Sequence, residues 1–169
     1  KRDGEDRKSL QERYSTVGFG EEYGGDNGCH EAVDREVKPF NHRAGKAVIS
    51  VSELAPGRPV QPPVPVLEHD AHLSYPFVFR HDGEVWMIPE SSGAKTVELY
   101  RATDFPWAWE RHSVLISGVE VSDATLFEYE DRWWMTGTVG YGGSLSDSLC
   151  LWSASDPRGP WTPHPHNPV

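Results

Sequence analysis

Cysteine is scarce in this chain. Two thiols in 169 residues, Cys29 and Cys150, cannot build a disulfide framework or a thiolate-rich metal centre. A disulfide between them stays open, but two free thiols are the simpler reading, which together with the lack of a visible leader segment sets the expectation of a reducing, cytoplasmic location. Positive charge is also short. Sixteen Lys and Arg stand against 26 Asp and Glu, a net charge of −10. A surface that neutralises phosphates needs the opposite balance, so nucleic acid and anionic membrane surfaces are excluded as partners. No apolar run reaches the roughly 20 residues that a membrane-crossing helix requires, so membrane insertion is not expected. Long helices are not expected either: 16 Gly and 14 Pro punctuate the chain too often for an all-helical fold, and a short helix over residues 6–14 would be marginal alone.

What the chain does have is repetition. Ser74-Tyr75-Pro76-Phe77-Val78-Phe79 and Ser122-Asp123-Ala124-Thr125-Leu126-Phe127 open two copies of one unit, 48 residues apart, and the offset holds through Trp86-Met87 and Trp134-Met135. Val66-Leu67 and Val114-Leu115 keep the same spacing. Leu99-Tyr100-Arg101-Ala102-Thr103-Asp104 matches Leu151-Trp152-Ser153-Ala154-Ser155-Asp156 at an offset of 52, which places a four-residue insertion in the Gly140-Tyr141-Gly142-Gly143-Ser144 loop. Units of this length, rich in short strands and aromatic residues, are the signature of propeller blades.

The expected fold is all-β: a partial β-propeller of about two and a half blades. Residues 46–70 form a half blade, 71–117 and 118–169 two complete ones, and 1–45 a loosely structured or divergent segment without strand or helix periodicity. In the first complete blade, strands are expected over 75–79, 84–89, 96–102 and 111–116, with His81-Asp82-Gly83-Glu84 as a hairpin turn. A further strand covers 47–51. Trp109 and Trp161, also 52 residues apart, are each expected to cap the face between their blade and the next. Blades bury their faces only against neighbours, so the chain reads as part of a larger ring whose open edges favour association with further domains.

Residues 72–169 resemble one family. The matching residues include Leu73-Ser74-Tyr75-Pro76-Phe77-Val78-Phe79, His81-Asp82-Gly83-Glu84, Met87-Ile88-Pro89-Glu90, Asp104-Phe105-Pro106, Asp123-Ala124-Thr125-Leu126-Phe127, Trp133-Trp134, Gly159-Pro160-Trp161-Thr162-Pro163-His164 and Asn167-Pro168-Val169. In this order they are similar to the propeller domain at the N-terminus of glucosamine inositolphosphorylceramide transferases and of bacterial relatives, some linked to formyltransferase domains. The resemblance implies a five-bladed propeller of the levansucrase, invertase and arabinanase group. It also implies that glycosyl transfer belongs to a separate domain, so that this chain is a non-catalytic, carbohydrate-associated piece with a glycan or glycolipid as partner.

The chemistry rests on carboxylates and aromatic rings. Glycosidic cleavage takes two carboxyl groups about 5–10 Å apart. Asp123, at the start of an inner strand, and Glu90, at the end of the next strand of the preceding blade, are the candidate catalytic or hydroxyl-binding carboxylates. Tyr75, the repeat counterpart of Asp123, and Tyr141, in the inserted loop, are the candidate sugar-binding aromatics. Asp123 also suits a strand cap, and Glu90 a solvated strand end. Two other functions remain open: a glycoside hydrolase-like piece that takes a second inner-strand carboxylate from elsewhere, and a protein-interaction propeller without a sugar site. No cofactor or metal is expected. His69 with His72 and His164-Pro165-His166 lack zinc spacing, and the glycines at 18, 20 and 24 lack a nucleotide-loop context.

Overall fold

The structure, a computed structural model, describes residues 46–52, 61–141, 143–144 and 147–169. The expectation for residues 1–45, and Cys29 with it, lies outside these. Alternating apolar residues and short turns produce ten strands in three antiparallel sheets. β1 (Ile49–Val51) and β2 (Val64–Leu67) form a two-stranded sheet, the outer half of a blade. β3 (Ser74–His81), β4 (Glu84–Ser91), β5 (Thr96–Asp104) and β6 (Ala108–Ser117) follow in chain order as one complete blade. β7 (Val121–Tyr129), β8 (Arg132–Val139), β9 (Ser148–Ala154) and β10 (Thr162–Pro163) form the other. The chain is a partial β-propeller.

Strand alternation decides what packs where, because successive side chains point to opposite faces. On β4 and β5, Trp86, Ile88, Val97 and Leu99 face the second complete blade and bury with Leu126, Met135, Cys150 and Trp152. Met87 and Tyr100 face the other way and bury with Ile49, Leu67 and Leu73 of the half-blade side. The middle blade is therefore sealed on both faces. The same face of the last blade carries half-buried Trp134 and exposed Phe127 and Leu149, the counterparts of buried Trp86, half-buried Phe79 and buried Val97.

The hairpin at Asp82-Gly83 has both residues at positive φ, 52° and 78°, as a primed two-residue turn requires. Its counterpart, Glu130-Asp131, adopts φ of 50° and 55° without a glycine. The insertion lies where the repeat offset changes, in the connection between β8 and β9. Three details differ from expectation. β1 begins at Ile49 rather than at residue 47, because the Ala47 backbone pairs with the incoming loop: its N–H donates to His72 Nδ1 (3.1 Å) and its carbonyl accepts from Leu73 N (3.1 Å). The outer strand β6 starts at Ala108 instead of 111, since Ala102 and Asp104 find partners in Trp109 and Ala108. Trp109 and Trp161 pack toward the preceding blade, not the next: Trp109 pairs with Ala102, on the face of Tyr100, and Trp161 directly precedes β10, whose Pro163 pairs with Trp152.

Candidate functional site

Antiparallel strand order places the starts of β3 and β7, the ends of β4 and β8 and the β8–β9 loop at one end of the blades. Tyr75, Glu90, Asp123 and Tyr141 all lie there. Two of them owe their aim to a repeated irregularity. The ladder between β3 and β4 breaks between Ser74 and Phe77, and that between β7 and β8 breaks between Ser122 and Thr125. Inside each break one residue turns to positive φ, Tyr75 at 38° and Asp123 at 55°. Such bulges re-aim a side chain at the cost of local pairing. Pro89, with no N–H to donate, sits opposite the first bulge, between the paired residues Ile88 and Glu90. Gly137 sits opposite the second, where an added Cβ would lie 2.5 Å from Val121 Cγ1 and 3.1 Å from the Ser122 carbonyl oxygen.

Stacking of β7 against β3 and β4 then brings residues of the two blades together. Asp123 and Glu90 lie close enough for the Glu90 carboxylate to act on the Asp123 carboxyl. Asp123 is exposed overall, but partial desolvation first, and the Glu90 carboxylate second, push its carboxyl above its ordinary value. Glu90 also accepts a hydrogen bond from Ser92 Oγ at 2.9 Å. Beside this pair, the half-buried Tyr75 phenol and Thr125 Oγ1 lie 3.1 Å apart, and Thr125 Oγ1 donates to the Asp123 carbonyl at 3.1 Å. Tyr75, Glu90, Asp123 and Thr125 thus form one cluster drawn from two blades.

Tyr141 stands apart from it. The ring is exposed, and its hydroxyl lies 3.5 Å from Cys150 Sγ, a contact that raises the phenol above its ordinary value. Thr125, Ser92 and Gly137 were not singled out from the sequence. A signal for two of them exists: Thr125 and Gly137 replace Phe77 and Pro89 of the other blade, departures from the repeat that flank Asp123.

A family model described as glucosamine inositolphosphorylceramide transferase 1, N-terminal, matches residues 57–169. The chain belongs to this family. Among its relatives, the glucosamine inositolphosphorylceramide transferase 1 proteins of Arabidopsis thaliana and of Oryza sativa subsp. japonica are each 38% identical over 105 residues, 61% of this chain. The chain spans 14% of the length of either relative. Among solved structures, the GH43 protein BlXynB of Bacillus licheniformis superposes with a TM-score of 0.53 at 18% identity, over 72% of this chain and 24% of that one. A thermostable family-43 glycoside hydrolase gives 0.54 at 15% identity, over 72% of this chain and 47% of that one. At such identities the likeness concerns the fold.

The opposite end of these blades holds a second charged group. His81 and Asp82 on the β3–β4 hairpin meet Asp156 after β9, and the ligand atoms of the three converge. The Arg158 guanidinium bonds Asp156 (2.6 Å) and Asp82 (2.9 Å) and lies 3.5 Å from His81 Nε2. It holds the Asp156 carboxyl well below the usual range. A cation already fills this cluster, which reads as a latch between blades. The histidines weighed as ligands serve the backbone: His69 Nδ1 accepts from Ala71 N at 2.9 Å, and His166 N donates to His164 Nδ1 at 3.3 Å. Asn167 braces the closing turn through both Leu151 backbone groups, each at 2.8 Å.

Proposed function

We propose that the Tyr75–Glu90–Asp123–Thr125 end of this domain recognises a sugar headgroup without cleaving it, as part of a five-bladed ring in a protein of glycan or glycolipid assembly. The contact between Glu90 and Asp123 carries this reading. Carboxyl groups that act as acid and base across a glycosidic bond stand about 5–10 Å apart, with the bond between them. A pair whose neighbouring charge raises Asp123 is too close together to flank such a bond in that way. It is suited instead to receive hydrogen bonds from adjacent hydroxyls or an amine, while the Tyr75 ring offers an apolar face to the sugar.

The relatives' name makes glucosamine the first probe, and its ammonium complements the carboxylate pair. Titration followed by amide NMR shifts is expected to give saturable perturbations at residues 75, 90, 123 and 125, weakened in Asp123→Asn and in Glu90→Gln. Aryl glycosides are expected to stay intact. Absence of saturable shifts, or shifts indifferent to both substitutions, would overturn the sugar reading and favour a protein-interaction propeller. Hydrolysis lost in Asp123→Asn would instead establish the hydrolase reading.

A further inference from the structure

The two seams between blades differ at one place. In the seam between the half blade and the middle blade, the buried Glu98 carboxylate accepts hydrogen bonds from Tyr100 Oη (2.6 Å) and Arg111 (3.3 Å), and His69 Nε2 lies 3.8 Å away. Glu98 and Tyr100 fill that space, and His69 and the largely exposed Arg111 reach in from its margin. One repeat later the same positions carry Cys150 for Glu98, Trp152 for Tyr100, Pro163 for Arg111 and Ser117 for His69. Every one of the charged or titratable reaching groups has been lost. The core of the seam between the middle and last blades stays packed, but at its outer margin, beside these replacements, a cleft of about 400 Å³ lies between the end of β6 and the outer half of the last blade. Its size falls within the usual range of small-ligand sites.

We propose that this cleft is a second binding site, and that it takes the alkyl chain of an uncharged amphiphile. No residue lining it is charged. Its walls are branched aliphatic side chains of residues 115, 116, 119 and 139, the indoles of Trp152 and Trp161, and the Tyr141 ring. The polar side chains on the wall are few. Asn167 is engaged with the Leu151 backbone, Tyr141 Oη with Cys150 and Trp161 Nε1 with the Pro157 carbonyl, which leaves the Ser117 hydroxyl at the rim and the Trp152 indole N–H. A sugar ring would bring more hydroxyls than this mainly apolar wall has free partners for, a net cost. An alkyl chain brings none and gains with each methylene buried. None of Tyr75, Glu90, Asp123 and Thr125 lines the cleft, so this site stands or falls separately from the headgroup reading.

The test uses the full chain and 10-bromo-1-decanol, whose bromine quenches tryptophan at short range. Saturable quenching is expected, and the six-carbon homologue should bind at least about tenfold more weakly. Ser117→His with Pro163→Arg restores the two groups that reach into the other seam from its margin, and should abolish saturable quenching while the thermal midpoint stays close to that of the parent. If that double variant does not fold, Val119→Glu places a charge on the same wall at a half-buried position and should have the same effect on quenching. Quenching that never saturates, that ignores chain length, or that survives in a folded filled-cleft variant would overturn the proposal. Glucosamine in excess should leave the quenching unchanged; displacement would show a single shared site and refute the separation.

Discussion

Replacing Asp123 with asparagine should stabilise this domain at neutral pH, by an amount set by the neighbouring Glu90. In the folded state the Asp123 carboxyl titrates above its ordinary value of 3.8, so the native state holds that proton more tightly than the unfolded chain. Linkage then makes the contribution of Asp123 fully favourable below about pH 4 and progressively lost as pH rises through the folded value. Once Asp123 has lost its proton, its charge faces the neighbouring Glu90 carboxylate. Two like charges about 4 Å apart cost about 1 kcal/mol in a water-like medium and about 4 kcal/mol at an effective dielectric of 20. Asp123 is exposed, which puts the cost near the lower figure. Asparagine removes the charge, can donate its amide to Glu90, and tolerates the left-handed backbone about as well as aspartate. A gain of about 1 kcal/mol follows, a rise of about 4 °C in unfolding midpoint. It should shrink toward zero at pH 3 and shrink again at pH 7 in high salt. Urea unfolding followed by tryptophan fluorescence across pH 3–8 measures it. A variant that is neutral or destabilised at pH 7, with an unaltered pH profile, would refute the carboxylate contact.

Gly137→Ala should destabilise by about 1–3 kcal/mol, since its methyl group meets Val121 and the Ser122 carbonyl; an unchanged denaturation midpoint would mean that the second bulge is wrongly placed. Trp86→Ala should cost about 3–5 kcal/mol and the repeat-equivalent Trp134→Ala markedly less, because Trp86 is 1% exposed and Trp134 only half-buried. Equal losses would contradict the stacking order of the blades. Asp156, held low by Arg158, contributes stability that is present above about pH 4 and lost as pH falls below it. Arg158→Ala should therefore lower the thermal midpoint at pH 6 and lower it less at pH 2, as read from acid-titrated thermal melts.

Strand order, the hairpin at residues 82–83 and the four-residue insertion were all legible in the sequence, because each is written into the spacing of the repeat. Strand ends were less so. Ala47 has strand-like character, yet its backbone pairs with the loop at residues 72–73, a partner that no local pattern reveals. The facing of Trp109 and Trp161 was misjudged for a related reason: a repeat fixes which positions are equivalent, but the direction each faces depends on the strand's phase relative to its neighbour.

The candidate site divides along the same line. Asp123 and Glu90 could each be picked out as carboxylates at a strand start and a strand end. Neither has a carboxylate at its repeat counterpart: Asp123 answers to Tyr75, and Glu90 to Thr138. Repetition therefore carried no hint that the two meet. Their contact is made by the stacking of β7 on β4, two strands from different blades, and by a bulge that turns Asp123 out of the ladder. The cleft follows the reverse logic. It becomes visible only when the two seams are compared position by position, since what distinguishes it is the loss of Glu98, Tyr100, Arg111 and His69 at their counterparts. In a fold made of equivalent units, shared residues build the blades, and function is to be sought where one unit departs from the other.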